Sequence, residues 1–199
     1  MKKIIFIGTL LFSSLFSSSQ NNFGILVGLN NSSLSDGFLN KLSIDKAFGF
    51  HLGGVYQYKL NETIAFRPKL MISLQGDRKK GSGGSGSIMG SSIDYKLTYI
   101  NVPLNFKFFS KPYIIAGPQV GYLIGTKKGD ADFGSIENKF DYGLDIGLGY
   151  DFNKFFIEFS LYQGITKLIE FESSPNAYNY YSSGITNTVL QLSLGYIFK

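Results

Sequence analysis

Cysteine is absent from the chain, which excludes a disulfide framework and any thiolate metal site. It also excludes a lipid-modified cysteine behind the N-terminal apolar stretch. No apolar run after that stretch reaches the roughly 20 residues that cross a bilayer as a helix. Proline occurs five times and histidine once, at His51. Excess positive charge is small: the formal net charge is +5, part of it from Lys2 and Lys3, and no basic cluster suggests nucleic acid. What the chain has in quantity is 24 Gly, 13 Tyr and 19 Phe, a composition that favours many strands and turns.

The N-terminus reads as an export signal. Lys2-Lys3 form a basic start, Ile4 to Phe16 an apolar segment, and Ser17-Ser18-Ser19 a small-residue site before Gln20. Residues 1–19 are therefore expected to be removed, leaving 20–199 as one domain. The apolar segment is too short for a helical anchor.

Residues 140–152 (FDYGLDIGLGYDF) decide the fold class. Every even position is apolar or aromatic and every odd position is Asp or Gly. A period of two means a β-strand, whose successive side chains leave opposite faces. The second face is too small and glycine-rich for a solvent surface. It suits a narrow wet lumen, while the apolar face meets lipid. A soluble up-and-down barrel would reverse this and expose Asp, Lys and Gly. Similar alternation runs through 23–30, 47–60, 64–75, 100–108, 112–125, 155–166 and 187–198. Turns of two or three residues (61–62, 110–111, 153–154) alternate with polar loops at 31–46, 76–92, 126–139 and 167–185. The expectation is an all-β fold, an eight-stranded antiparallel up-and-down transmembrane β-barrel. Outward aromatics beside the short turns (Tyr58, Phe108, Phe152, Phe155, Tyr196, Phe198) predict a girdle at one interface, and Phe48, Tyr122, Phe140 and Tyr142 another. Strand four is irregular. Before Tyr99 its phase reads as reversed, which a bulge or a strand top protruding past the lipid would each explain.

Three segments resemble the PorT-type family of small outer-membrane β-barrel proteins, one of the OmpA/OmpX-like groups. They are FGILVGLNNSSL at 23–34, YINVPLNFKF at 99–108 and PYIIAGPQVGYLIG at 112–125, supported by FRPKLMISLQG at 66–76. The resemblance implies an outer-membrane location, and for some members a secretion accessory role. The sequence departs from the family pattern at Lys69 and Asn101, where that pattern usually carries Glu.

Parity assigns the candidate site. Arg67, Lys69 and Lys107 point inward from strands three and four, and Asp145 and Glu158 from strands six and seven, with Asp141 and Asp151 above and below. These form an expected lumen ion network of Arg67, Lys69, Lys107, Asp141, Asp145 and Glu158 in a barrel just wide enough for side chains to fill. His51 is expected near the height of Ser73 and Asp141. A Ser/His/Asp set has the composition of a hydrolytic triad, but serine and aspartate line any such lumen, and no catalytic residue, cofactor or metal is assigned. Gly143, Gly147 and Gly149 recur at strand spacing and make room for larger side chains from across the lumen; no helix follows for a phosphate to sit on. Tyr178, Tyr180 and Tyr181 of the last loop are candidate contacts for a protein or polysaccharide at the cell surface.

The function that follows is a monomeric structural or interaction barrel, in contact with outer-membrane lipid and acting through its loops. A narrow pore, a secretion-accessory barrel and a lumen-site lipid-modifying enzyme are the alternatives. The mature protein is expected to fractionate with the outer membrane and to migrate faster on a gel before boiling than after. Release into the soluble periplasmic fraction would refute the membrane reading.

Overall fold

A lone alternating strand leaves both its backbone edges unpaired, which lipid does not tolerate. The chain resolves this by closing on itself. In a computed structural model, which describes residues 21–35, 47–78, 94–128, 138–171 and 183–198, the strands are β1 (Asn21–Ser35), β2 (Ala47–Lys59), β3 (Ile64–Arg78), β4 (Asp94–Phe108), β5 (Tyr113–Lys128), β6 (Phe140–Phe152), β7 (Phe155–Gly164), β8 (Ile169–Phe171) and β9 (Ser183–Phe198). Neighbours pair antiparallel in chain order through β7, which pairs with β9. β9 returns to β1, with Phe23 opposite Phe198 and Ser35 opposite Thr186, and closes an eight-stranded barrel. No helix among the described residues is long and apolar enough to cross a membrane.

The period of two holds throughout β6, where Asp141, Asp145 and Gly149 are buried while Tyr142, Leu144, Ile146 and Leu148 are exposed. An exposed apolar surface on this scale is incompatible with a water-facing monomer, so lipid covers it. The aromatics gather into two rings. Near the short turns Tyr196 lies 5.1 Å from Phe155 and 5.4 Å from Phe198 between ring centroids. At the other end Tyr122 lies 5.0 Å from Phe140. The turns are locally specified. Asn61 Oδ1 accepts hydrogen bonds from the backbone N–H groups of Thr63 (2.8 Å) and Ile64 (2.7 Å). Asn153 takes φ 58°, a left-handed conformation that asparagine tolerates.

Four expectations change. A ninth strand is present: β8 extends the upper part of β9 as a short hairpin (Ile169 opposite Ile185), inside what reads as loop. The strands also run past the expected loop boundaries, β1 to Ser35, β3 to Arg78 and β5 to Lys128. Backbone pairing there no longer needs an apolar outer face, so the sequence period fades while the ladder persists. In strand four the phase is not reversed. Leu97 and Tyr99 stay buried and Lys96 exposed, so the polar outward positions mark a strand top above the apolar belt. The irregularity lies in its partner: Thr98 pairs with Gly125 but Tyr99 with Leu123, leaving Ile124 as the extra residue of β5. Finally, of the three β6 glycines only Gly149 makes room for a large side chain, and it comes from the adjacent strand, not from across; Gly143 and Gly147 lie against the backbone of β7 and Ser160. A Cβ on Gly149 would come within 2.3 Å of the ring of Tyr113, its cross-strand partner, and one on Gly195 within 2.1 Å of Phe156.

Phe198 sits at the closing seam, opposite Phe23 and edge-on to Tyr196. Phe198→Ala is expected to lower the folded yield on refolding into detergent, measured as the fraction with heat-modifiable mobility. Wild-type yield would reduce Phe198 to a girdle residue.

Candidate functional site

Three strands whose inner faces meet near the short turns supply the ion cluster. Glu158 lies four residues beyond the β6–β7 turn and points inward from β7. Arg67 and Lys69 alternate on the inner face of β3, and Tyr113 opens β5. Arg67 Nε is 2.9 Å from Glu158 Oε1. Lys69 Nζ donates to Glu158 Oε2, and Tyr113 Oη donates to Oε1 at 2.9 Å. All four side chains are buried. The Arg67 guanidinium also lies over Phe156, 4.3 Å from its centroid, and donates through Nη1 to Gln57 Oε1. A carboxylate taken out of water in this way costs several kcal/mol unless paired. Glu158 has two cations and a phenol, which meets that requirement.

The other charges divide. Lys107 pairs with Asp151, and its Nζ lies 3.9 Å above the Tyr113 ring. Asp145 departs from the expected network. Its Oδ2 accepts from Asn105 Nδ2 at 2.6 Å, with no ion pair to Arg67, Lys69 or Lys107. Asp141 likewise has an amide partner, Asn187 Nδ2 at 3.0 Å. The reason is height: β4 places Asn105 at the level of Asp145, two residues above Lys107, which meets Asp151 instead. Below the cluster a polar vestibule of about 300 Å³, lined by Lys107, Asp151, Gln57 and the turn residues, opens at the short-turn end.

Above the cluster the lumen is crossed by a chain of neutral hydrogen bonds. His51 Nε2 lies 2.8 Å from Ser193 Oγ and Nδ1 2.6 Å from Asn30 Oδ1. Asn30 Nδ2 donates to Ser73 Oγ at 2.8 Å, Gln75 Nε2 donates to the same hydroxyl at 2.8 Å, and Asn187 Nδ2 donates to Gln75 Oε1 at 2.7 Å. His51 is thus bonded to neither Ser73 nor Asp141, although Ser73 is its Cα partner. Ser193–His51–Asn30 has the connectivity of nucleophile, base and orienting group. The three side chains are buried inside the barrel, and none lines the vestibule. The arrangement is a brace across the lumen. Asn30 and Ser193 both have inward parity; their height relative to His51 is what parity leaves open. Tyr178, Tyr180 and Tyr181 and residues 1–19 lie outside the described residues. Among the described residues no group of three His, Cys, Asp or Glu side chains could hold a metal.

A strand-built wall with an apolar exterior and a charged interior defines the class, a transmembrane β-barrel. Residues 16–170 match the model of the outer membrane protein beta-barrel domain family. The chain belongs to that family, and its place is the outer membrane. Solved structures of similar fold include OprG of Pseudomonas aeruginosa (13% identity, 89% of this chain and 96% of that one, TM-score 0.50). Neisserial surface protein A is another (13% identity, 88% and 97%, TM-score 0.49). A third is the attachment invasion locus protein Ail of Yersinia pestis, solved with the heparin analogue sucrose octasulfate (23% identity, 90% and 99%, TM-score 0.43). No curated protein sequence matches the chain.

The cluster yields a stability test. Glu158→Ala leaves Arg67 and Lys69 uncompensated and is expected to cost about 3–5 kcal/mol. Adding Lys69→Ala should recover part of that loss, a non-additivity read from a double-mutant cycle. Asp145→Asn removes a carboxylate that no cation touches and should cost clearly less. Urea unfolding in lipid vesicles measures all three, and an additive cycle would show that Glu158 and Lys69 do not interact.

Proposed function

We propose that the mature protein, residues 20–199 after cleavage at Ser19, is a monomeric, non-conducting barrel that works through its surface loops as a structural or interaction module. One observation carries this reading. Glu158, held by Arg67, Lys69 and Tyr113, fills the lumen just above the vestibule with side chains that are all buried. An eight-stranded barrel has no spare width around such a cluster. An ion or solute would have to break two ion pairs to pass. Lys107 with Asp151 adds a third pair below. Asp141 and Asp145 belong to the same lumen lining through their amide partners.

With the lumen closed, the parts left to meet partners are the lipid-facing wall and the loops. Tyr178, Tyr180 and Tyr181 are the loop side chains proposed to contact a protein or polysaccharide at the surface. The finer kinship, to PorT-type barrels, rests on the segments at 23–34, 99–108 and 112–125. No catalytic role is assigned to His51, whose neighbours make it a buried cross-brace.

Wild-type protein in planar bilayers is expected to show no steady conductance, and Glu158→Ala to show brief openings. Steady wild-type current would overturn the closed-lumen reading and favour a narrow pore.

A further inference from the structure

The outer wall carries a feature that neither the lumen nor the loops account for. Where β2 to β5 reach the end of the barrel opposite the short turns, a groove of about 650 Å³ opens on the outer surface. Its floor is apolar: Phe48 and Phe50 are 74% and 58% exposed, and Leu74 lies beside them. Its upper rim is basic. Lys96 of β4 and Lys127 of β5 are direct cross-strand partners, both exposed, with Thr98 below them. On its other side Lys96 faces Gly76, which has no side chain to offer. No acidic side chain forms an ion pair with either lysine among the described residues. Like charges directly opposite in a sheet repel and destabilise the pair. An anion seated between the two ammonium groups turns that repulsion into attraction, and lysine serves phosphate well as a point charge.

The position says where such an anion comes from. On β4 the groove begins two residues nearer the loops than Ile100, the partner of Tyr122, and so just above the upper aromatics Tyr122 and Phe140 that mark the interface. In an outer-membrane barrel the end with long loops faces outward. The rim therefore stands at the headgroup level of the outer leaflet and the floor at the top of its acyl chains. We propose that this groove is a binding site for a phosphorylated lipid of the outer leaflet. The headgroup phosphate sits between Lys96 and Lys127, and an acyl chain lies against Phe48, Phe50 and Leu74.

The test uses the full mature barrel in neutral detergent, titrated with diphosphorylated lipid A, with its dephosphorylated form and with phosphatidylcholine, and read by native mass spectrometry. Lys96→Gln with Lys127→Gln is expected to weaken lipid A binding at least tenfold, with heat-modifiable mobility intact. Dephosphorylated lipid A should bind wild type as weakly as intact lipid A binds the double variant. Lys96→Glu gives a readout of opposite sign. It should raise the unfolding midpoint in lipid-free detergent, by replacing a repulsive pair with an attractive one, while lowering lipid A affinity. Three results would overturn the proposal: unchanged lipid A binding in the double variant, equal wild-type binding of the dephosphorylated lipid, or a wild-type dimer that Phe48→Ser dissociates, which would make a second copy the occupant.

Discussion

Glu158 is a carboxylate in a space too narrow to hydrate it, and much of the lower barrel is arranged to answer that. Arg67 and Lys69 supply the charge and Tyr113 the third contact. Each of these depends on something smaller. The Tyr113 ring fits because its partner on β6 is Gly149, and Phe156, under the Arg67 guanidinium, fits because its partner on β9 is Gly195. The two glycines are therefore space for the ion cluster. A Cβ at either position would push an aromatic ring into the charges it supports.

The outer face answers a different constraint. Lipid gives no hydrogen bonds, so every strand within it must be paired on both sides, and the β1–β9 seam supplies the last pairing. The inner and outer faces then divide the chemistry residue by residue. Along β6 the division is complete, which is why that strand reads so clearly. Toward the strand tops it weakens, because pairing continues in β1, β3 and β5 where lipid no longer demands an apolar side chain.

That difference accounts for what the sequence made legible. Parity is intrinsic to one strand, so inward Arg67, Lys69, Lys107, Asp145 and Glu158 could be read directly, and with them the barrel. Partnership across the lumen depends on tilt and stagger, which no single strand carries. Hence Lys107 meets Asp151, Asp145 meets Asn105, and His51 meets Ser193 and Asn30 in place of Ser73 and Asp141. The disturbance near Tyr99 was visible in strand four, yet the extra residue, Ile124, belongs to its neighbour. β8 has no signature in the sequence, because three residues are too few to show a period. Lys69, also read as inward by parity, is one of the two cations on Glu158.

A buried ion cluster is weak support for stability in itself, since a well-packed apolar cluster often does as well. Its stronger use is register. A slip of one residue would turn an apolar face into the lumen, and the lipid pattern opposes it. A slip of two preserves parity and leaves the lipid face content. At the β5–β6 seam such a slip in one direction would set Tyr113 opposite Gly147 in place of Gly149, so there even the steric slot would be silent. Arg67, Lys69 and Tyr113 lie on one side of that seam and Glu158 on the other. Two residues of slip would separate them by roughly 6.5 Å along the strand, enough to break all three contacts. The inner charges thus choose among registers that the outer face treats as equivalent.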